Sequence, residues 1–324
     1  MNSIWFVYIV LVVLLWSVTG LILKAGIHKE PEKHTCLKYS VSVGIVFFII
    51  SLFYLITRDE PFSIPESAVR YWPMTLFAIV YPVIYTISFY GYIYNEVTVE
   101  SPLEGISGGT STILLIAVYL LLGRVESVSE LLTPLRTIGI LVILFSIILL
   151  ASARNREGRR KEQQENGAKK ASWKWRGLGT LIFPVMFAMV DSMETVVSGI
   201  CLDSTFGYAM PEGDSIIIVG MVYSMYALGF WIYILVKDHE FYHPLKKENL
   251  PRLLGSVTDN LGIVLYSYAM AIDSVSTDPI LAVYPMFSML GGRIFMKEKV
   301  SPVQYVAILL IVAGSILVVA DTLV

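Results

Sequence analysis

Four polar residues interrupt an otherwise apolar stretch at 178–202. Asp191, Glu194, Thr195 and Ser198 stand at i, i+3, i+4 and i+7, a spacing that puts all four on one face of a helix. An acidic group at the centre of a hydrocarbon core costs about 2.5–3.5 kcal/mol, so the two carboxylates cannot both ionise cheaply without a cation. The pattern suits reversible proton binding or attraction of a cationic group. A pair of protonated carboxyls bonded to neighbouring helices is the structural alternative. A second polar pair, Asp259 and Asn260, lies about a third of the way into the stretch 252–272, with Tyr266 and Ser267 on a neighbouring part of the same face. Its alternative is a charge reaching for the interface near Arg252. A third set, Tyr81, Tyr85, Ser88 and Tyr92, forms one stripe at 72–94. Such a stripe lines a pathway with rings and hydroxyls, or serves packing and an interfacial belt. Trp16 and Ser17 face either a cavity or a neighbouring helix.

The elements that must position these residues are long apolar blocks. The chain has 324 residues, 56% hydrophobic and 15% charged, with a mean hydropathy of +0.69; soluble domains carry about 25% charge. The apolar residues gather in blocks of roughly 18–24, the length that crosses a hydrocarbon core of about 30 Å. Ten can be marked: 4–23, 37–57, 72–94, 104–122, 133–152, 178–202, 215–236, 252–272, 279–296 and 303–320. Lipid offers the backbone no partners, so the blocks must be helices. The first begins at Ile4 with no Lys or Arg before it and reads as a span rather than a cleavable leader. The expected fold is an all-α membrane protein of ten transmembrane helices in two inverted five-helix repeats.

Residues 153–177 divide the chain. They are polar and basic, and read as a solvated linker, disordered at its centre, between a first repeat at 1–152 and a second at 178–324. An odd number of spans per half inverts one half relative to the other. Sequence echoes follow the same order in both halves. Glu126-Ser-Val-Ser129 matches Glu298-Lys-Val-Ser301, Pro134 and Ile140-Leu141 match Pro302 and Ile308-Leu309, and Val99-Glu-Ser-Pro102 matches Ser276-Thr-Asp-Pro279. Aligning the halves through Val97-Thr98 and Val275-Ser276 sets Tyr81 at the position of Asp259.

Lys and Arg gather in cytoplasmic loops. With the N-terminus outside, 20 of the 24 fall on the cytoplasmic side, and only Arg58, Arg70, Arg124 and Arg136 remain outside. Both termini are therefore expected outside and the linker in the cytoplasm. Cys36 and Cys201 then lie at opposite faces, too far apart to bridge. Other polar residues read as structural. Glu100 and Glu104 flank the fourth span at a wet mouth, Gly105-Ile-Ser-Gly-Gly109 allows close helix approach, Glu126 and Glu298 cap or fix loops, and Arg293 anchors an interface. The linker also offers contact to anionic lipid.

A net charge of −2 excludes a case for nucleic acid. The four histidines lie in connecting segments, the cysteines have no metal-ligand spacing, and no GxSxG-type nucleophile site is present. No enzyme, metal or cofactor is expected. The partners are a small-molecule solute, membrane lipid and optionally protons, with a homodimer left open.

Leu14-Leu15-Trp16-Ser17 followed by Lys24 resembles the opening of EamA-type members of the drug/metabolite transporter superfamily. Asp278-Pro279, Tyr284-Pro285, Glu298, Val300-Ser301 and then Ala313-Gly314 resemble the family's last two spans. The resemblance implies a secondary transporter of metabolites, amino acids or drugs, working by alternating access through a central cavity. A flippase for a lipid-linked or amphipathic molecule is the rival reading, and a non-transporting scaffold a third. The family is commonly described with both termini in the cytoplasm, opposite to the charge count, and often carries a Trp and small residues where this chain has Val190-Asp191 and Glu194. The expected solute or proton site comprises Asp191, Glu194, Ser198, Asp259, Asn260, Tyr81, Tyr85 and Trp16.

Overall fold

Apolar blocks of this length leave their backbone groups no choice but helix. In a computed structural model of the chain, the described residues form helices, a single 3-10 turn and connecting loops, with no strand. The residues described are all except 1–2, 27–33, 59–61, 91–106, 166–172, 240, 282, 298–300 and 324.

In chain order the helices are α1 (Ser3–Gly26), α2 (Thr35–Thr57), α3 (Ile64–Arg70), α4 (Trp72–Ser88), α5 (Ser107–Leu121) and α6 (Pro134–Glu165). They continue with α7 (Trp173–Leu202), α8 (Glu212–Asp238), α9 (Leu250–Ile272), α10 (Ser274–Leu281), α11 (Tyr284–Met296) and α12 (Pro302–Leu323). Among the described residues five stretches are long and apolar enough to cross a membrane: Ile4–Leu23, Thr35–Thr57, Val185–Leu202, Glu212–Asp238 and Ser274–Met296. The bent pair α3 and α4, meeting at 100°, makes a sixth if counted as one span. Ser111–Leu121, Pro134–Ser146 and Pro302–Gly314 are shorter apolar helices.

Two expectations change in detail, and one set of residues lies outside the described part of the chain. The linker was expected to be irregular from residue 153, yet α6 runs on to Glu165 and α7 begins at Trp173. Its Arg, Lys, Glu and Gln are strong helix formers, so polarity ends the span without ending the helix. The block 279–296 starts earlier and divides into α10 and α11, with Pro279 and Pro285 on either side of the break. The echo Val99–Pro102, with Glu100, Glu104, Tyr92 and Glu298, lies outside the described residues.

The main packings are α2 on α8, α1 on α9, α6 on α12, α5 and α4 on α7, α1 on α11, α4 on α8, and α2 on α9. The α2–α8 crossing is close because Gly44 lies directly against Ala227, where an added Cβ would collide. Ser224 spans this crossing, donating to the Gly44 carbonyl at 3.0 Å. The central core is rich in aromatics: Phe47, Phe77, Tyr81, Tyr85, Phe89 and Tyr223 join Trp5 and Tyr39.

Candidate functional site

The packing of α1, α4, α7 and α9, with the start of α11, encloses a small cavity. Its carboxylates are Asp191 and Glu194 of α7 and Asp259 of α9. Its rings are Trp16, Tyr81, Tyr85, Phe89, Phe187 and Tyr284. Six of the eight expected site residues thus share one cavity: Trp16, Tyr81, Tyr85, Asp191, Glu194 and Asp259.

Each side chain arrives there for a local reason. Tyr81 and Tyr85 are one turn apart on α4 and stack at 4.7 Å, with planes 23° apart. Tyr85 donates its hydroxyl to Asp259 Oδ2 at 2.7 Å. The residue aligned with Asp259 by the sequence echoes was Tyr81; the one that bonds it is Tyr85, one turn on. Trp16 reaches across from α1 because position 262 is glycine: a Cβ there would strike the indole ring. In the space so left, Trp16 Nε1 donates to the Asp259 carbonyl at 3.3 Å. The same ring packs against Tyr266 and Tyr284 at 5.6 and 5.7 Å.

Asp191 accepts a hydrogen bond from Ser107 at the start of α5. Glu194 takes no hydrogen bond from any described residue, and Asp191, Asp259 and Asp278 all bear on it electrostatically. Among the described residues none of these carboxylates forms an ion pair with Lys or Arg. Arg252, the interfacial partner considered for Asp259, instead bonds Asn249 Oδ1 at 2.5 Å and Thr35 Oγ1 at 3.1 Å.

Two expected residues lie elsewhere. Asn260 is fully buried off the cavity lining and donates to the Ser256 carbonyl at 2.7 Å. One residue on a helix is a turn of about 100°, which takes Asn260 away from Asp259. Ser198 is buried beyond the lining. Thr195, on the same face as Asp191, bonds Asp278 Oδ2 at 2.9 Å. Ser111 donates to that same oxygen. Sequence reasoning used Asp278 only within a repeat echo and a family motif. An Asp inside an apolar block was the signal that marked Asp191; Asp278 stands one residue before the block marked at 279–296, and only the earlier start of α10 at Ser274 brings it within a helix.

The cavity measures about 50 Å³. Liquid water takes about 30 Å³ per molecule, and drug-sized ligands fill pockets of about 300 Å³ or more. The cavity as it stands has room for about one water molecule and is too small for a drug-sized molecule.

An all-helical, multi-pass membrane protein with carboxylates and aromatic rings around an internal cavity is the class this architecture defines. Residues 203–320 match the EamA-like transporter family. The resemblance seen in the motifs of the second half is borne out by this match. A solved structure titled "Crystal structure of protein" is similar in fold, with a TM-score of 0.63 and 15% identity over 99% of this chain and 98% of that one. No curated protein matches the chain.

Proposed function

We propose that this protein is a secondary transporter that moves a small organic solute bearing a cationic group by alternating access, with the solute bound in the cavity. The observation that carries this reading is the convergence of Asp191, Glu194 and Asp259 on one cavity with aromatic walls and no Lys or Arg paired to them among the described residues. Carboxylates supply charge, and the faces of Trp16, Tyr81 and Tyr85 supply cation–π attraction, worth about 2 kcal/mol or more when desolvated. Among the described residues Glu194 has no hydrogen-bond partner to give up before it meets a solute. The contracted volume fits one stage of a cycle in which the walls part to load. This role asks for no chemistry on the solute, so we read the protein as a carrier and not an enzyme.

The packing supports two repeats at 1–152 and 178–324. Exchanging α1 with α7, α2 with α8, α4 with α9, α5 with α10 and α11, and α6 with α12 turns α1 on α9 into α7 on α4. It turns α1 on α11 into α7 on α5 and α4 on α8 into α9 on α2, while α2–α8 and α6–α12 map onto themselves. An inverted pair related by a two-fold axis has this property. The charge count favours both termini outside; a C-terminal reporter active only in the cytosol is expected to be silent.

The test is uptake into liposomes holding the purified full-length chain, with labelled tetraethylammonium and a panel of amines and amino acids. Uptake above that of empty liposomes is expected for cationic members. Transport restricted to anionic or neutral solutes overturns the reading.

A further inference from the structure

The geometry points to Asp278 as the residue that carries the coupling proton, separate from the solute-facing carboxylates; this rests on the transporter reading above. Asp278 is 6% exposed and does not line the cavity. Its Oδ2 accepts from Ser111 of α5 and from Thr195 of α7, and its Oδ1 takes no hydrogen bond from any described residue. Tyr266 of α9 donates in turn to Thr195 at 3.2 Å.

The type of donor decides what such a carboxyl can do. A backbone N–H only donates, so a carboxylate held by backbone groups is satisfied only when ionised. A hydroxyl donates and accepts. Ser111 and Thr195 can donate to the ionised Asp278 or turn and accept from the protonated one. Both states are then hydrogen-bonded, as a reversible proton carrier requires. The charges that face Asp278 are all of one sign. Asp191 and Glu194 come from α7, Asp259 from α9 lies beyond Glu194, and α9 also presents the Tyr266 phenol. From α5 come the hydroxyls of Ser107 and Ser111. From α1, Trp5 bonds the adjacent Thr277 at 3.0 Å, and the described side chains of α1 and α12 include no charge. Among the described residues no cation contacts Asp278, so a proton is what neutralises it.

The position also links the proton to the solute. Thr195 is one turn from Asp191, whose main-chain oxygen it bonds at 3.2 Å. Ser111 is one turn from Ser107, which bonds the Asp191 carboxyl. Asp191 and Asp278 are thus two rungs of one ladder between α5, α7 and α10. In the step proposed, a proton from water on one side binds Asp278 and is released to water on the other; no other bond is made or broken. A change at Asp278 alters the clamp joining α5 of the first half to α7 and α10 of the second.

Purified full-length protein in liposomes provides the test, with two readouts. The first is the pH-induced infrared difference spectrum without solute, in which Asp278→Asn is expected to lose a protonated-carboxyl band present in the wild type. The second uses labelled tetraethylammonium. Accumulation driven by a pH gradient is expected to fall to the level of empty liposomes in Asp278→Asn, with a flat pH profile, while one-for-one exchange at equal pH continues. Asp278→Glu is expected to restore the gradient response. An unchanged infrared spectrum or retained gradient-driven accumulation overturns the proposal, and so does loss of exchange together with accumulation in a folded Asp278→Asn. Should Asp278→Asn fail to fold, Ser111→Ala and Thr195→Val must each shift the pH midpoint of the band; no shift overturns it. If the wild type moves no tetraethylammonium, the solute reading is at fault, and the infrared result still decides the role of Asp278.

Discussion

Asp203 and Glu194 sit about two and a half turns of chain apart, and the protein treats their carboxylates in opposite ways. Asp203, just past the end of α7, is 2% exposed and fully engaged. Its Oδ1 accepts the backbone N–H groups of Thr205 and Phe206, both at 2.8 Å. Its Oδ2 accepts the backbone N–H and the hydroxyl of Ser274, at 3.2 and 2.5 Å. This ties the loop after α7 to the first turn of α10, and Tyr119 extends the knot by bonding Ser274 at 3.0 Å. Among the described residues Glu194 has no such donors, and it opens onto the cavity. A buried carboxylate with its oxygens filled contributes stability; one left unfilled costs stability and is available for a ligand.

Four variants test this contrast. The largest effect is expected from Asp191→Asn with Glu194→Gln: tetraethylammonium uptake falls to the background of empty liposomes while the thermal unfolding midpoint does not drop. Full activity in the double variant removes these residues from the site. Next is Asp203→Ala, which strands four donors. It is expected to lower unfolding stability by about 3 kcal/mol, measured by denaturant titration in detergent, while transport per folded molecule is retained. Normal stability would make the knot incidental.

Tyr85→Phe keeps the ring and deletes the bond to Asp259. A hydrogen bond to a charged group is worth about 1.5–3 kcal/mol, so KM for the cation is expected to rise by at least about tenfold. An unchanged KM would show that Asp259 does not need Tyr85 to bind the solute. The smallest effect is expected from Arg58→Ala. Its ion pair with Asp214, at 3.0 Å, is partly exposed, and such pairs contribute about 1 kcal/mol or less. Both stability and uptake should be nearly those of the wild type. A large loss in either would mean that this edge of the molecule participates in the cycle.

The sequence by itself determined the class of this protein. Apolar blocks of membrane-spanning length leave the backbone no alternative to helix, and helical spacing placed Asp191 and Glu194 on one face. The family motifs in the second half were legible for the same reason: they are local. The tertiary structure decided which faces meet. Periodicity fixes the direction of a side chain relative to its own helix but not the neighbour across from it. It therefore grouped Asn260 with Asp259 and Ser198 with Glu194, although the packing of α9 and α7 turns both away from the cavity. It made Tyr81 the counterpart of Asp259, although the rise of one helical turn gives the bond to Tyr85. It also left Asp278 among the motif residues, because nothing local reveals that Ser111, from the other half of the chain, comes to rest against it.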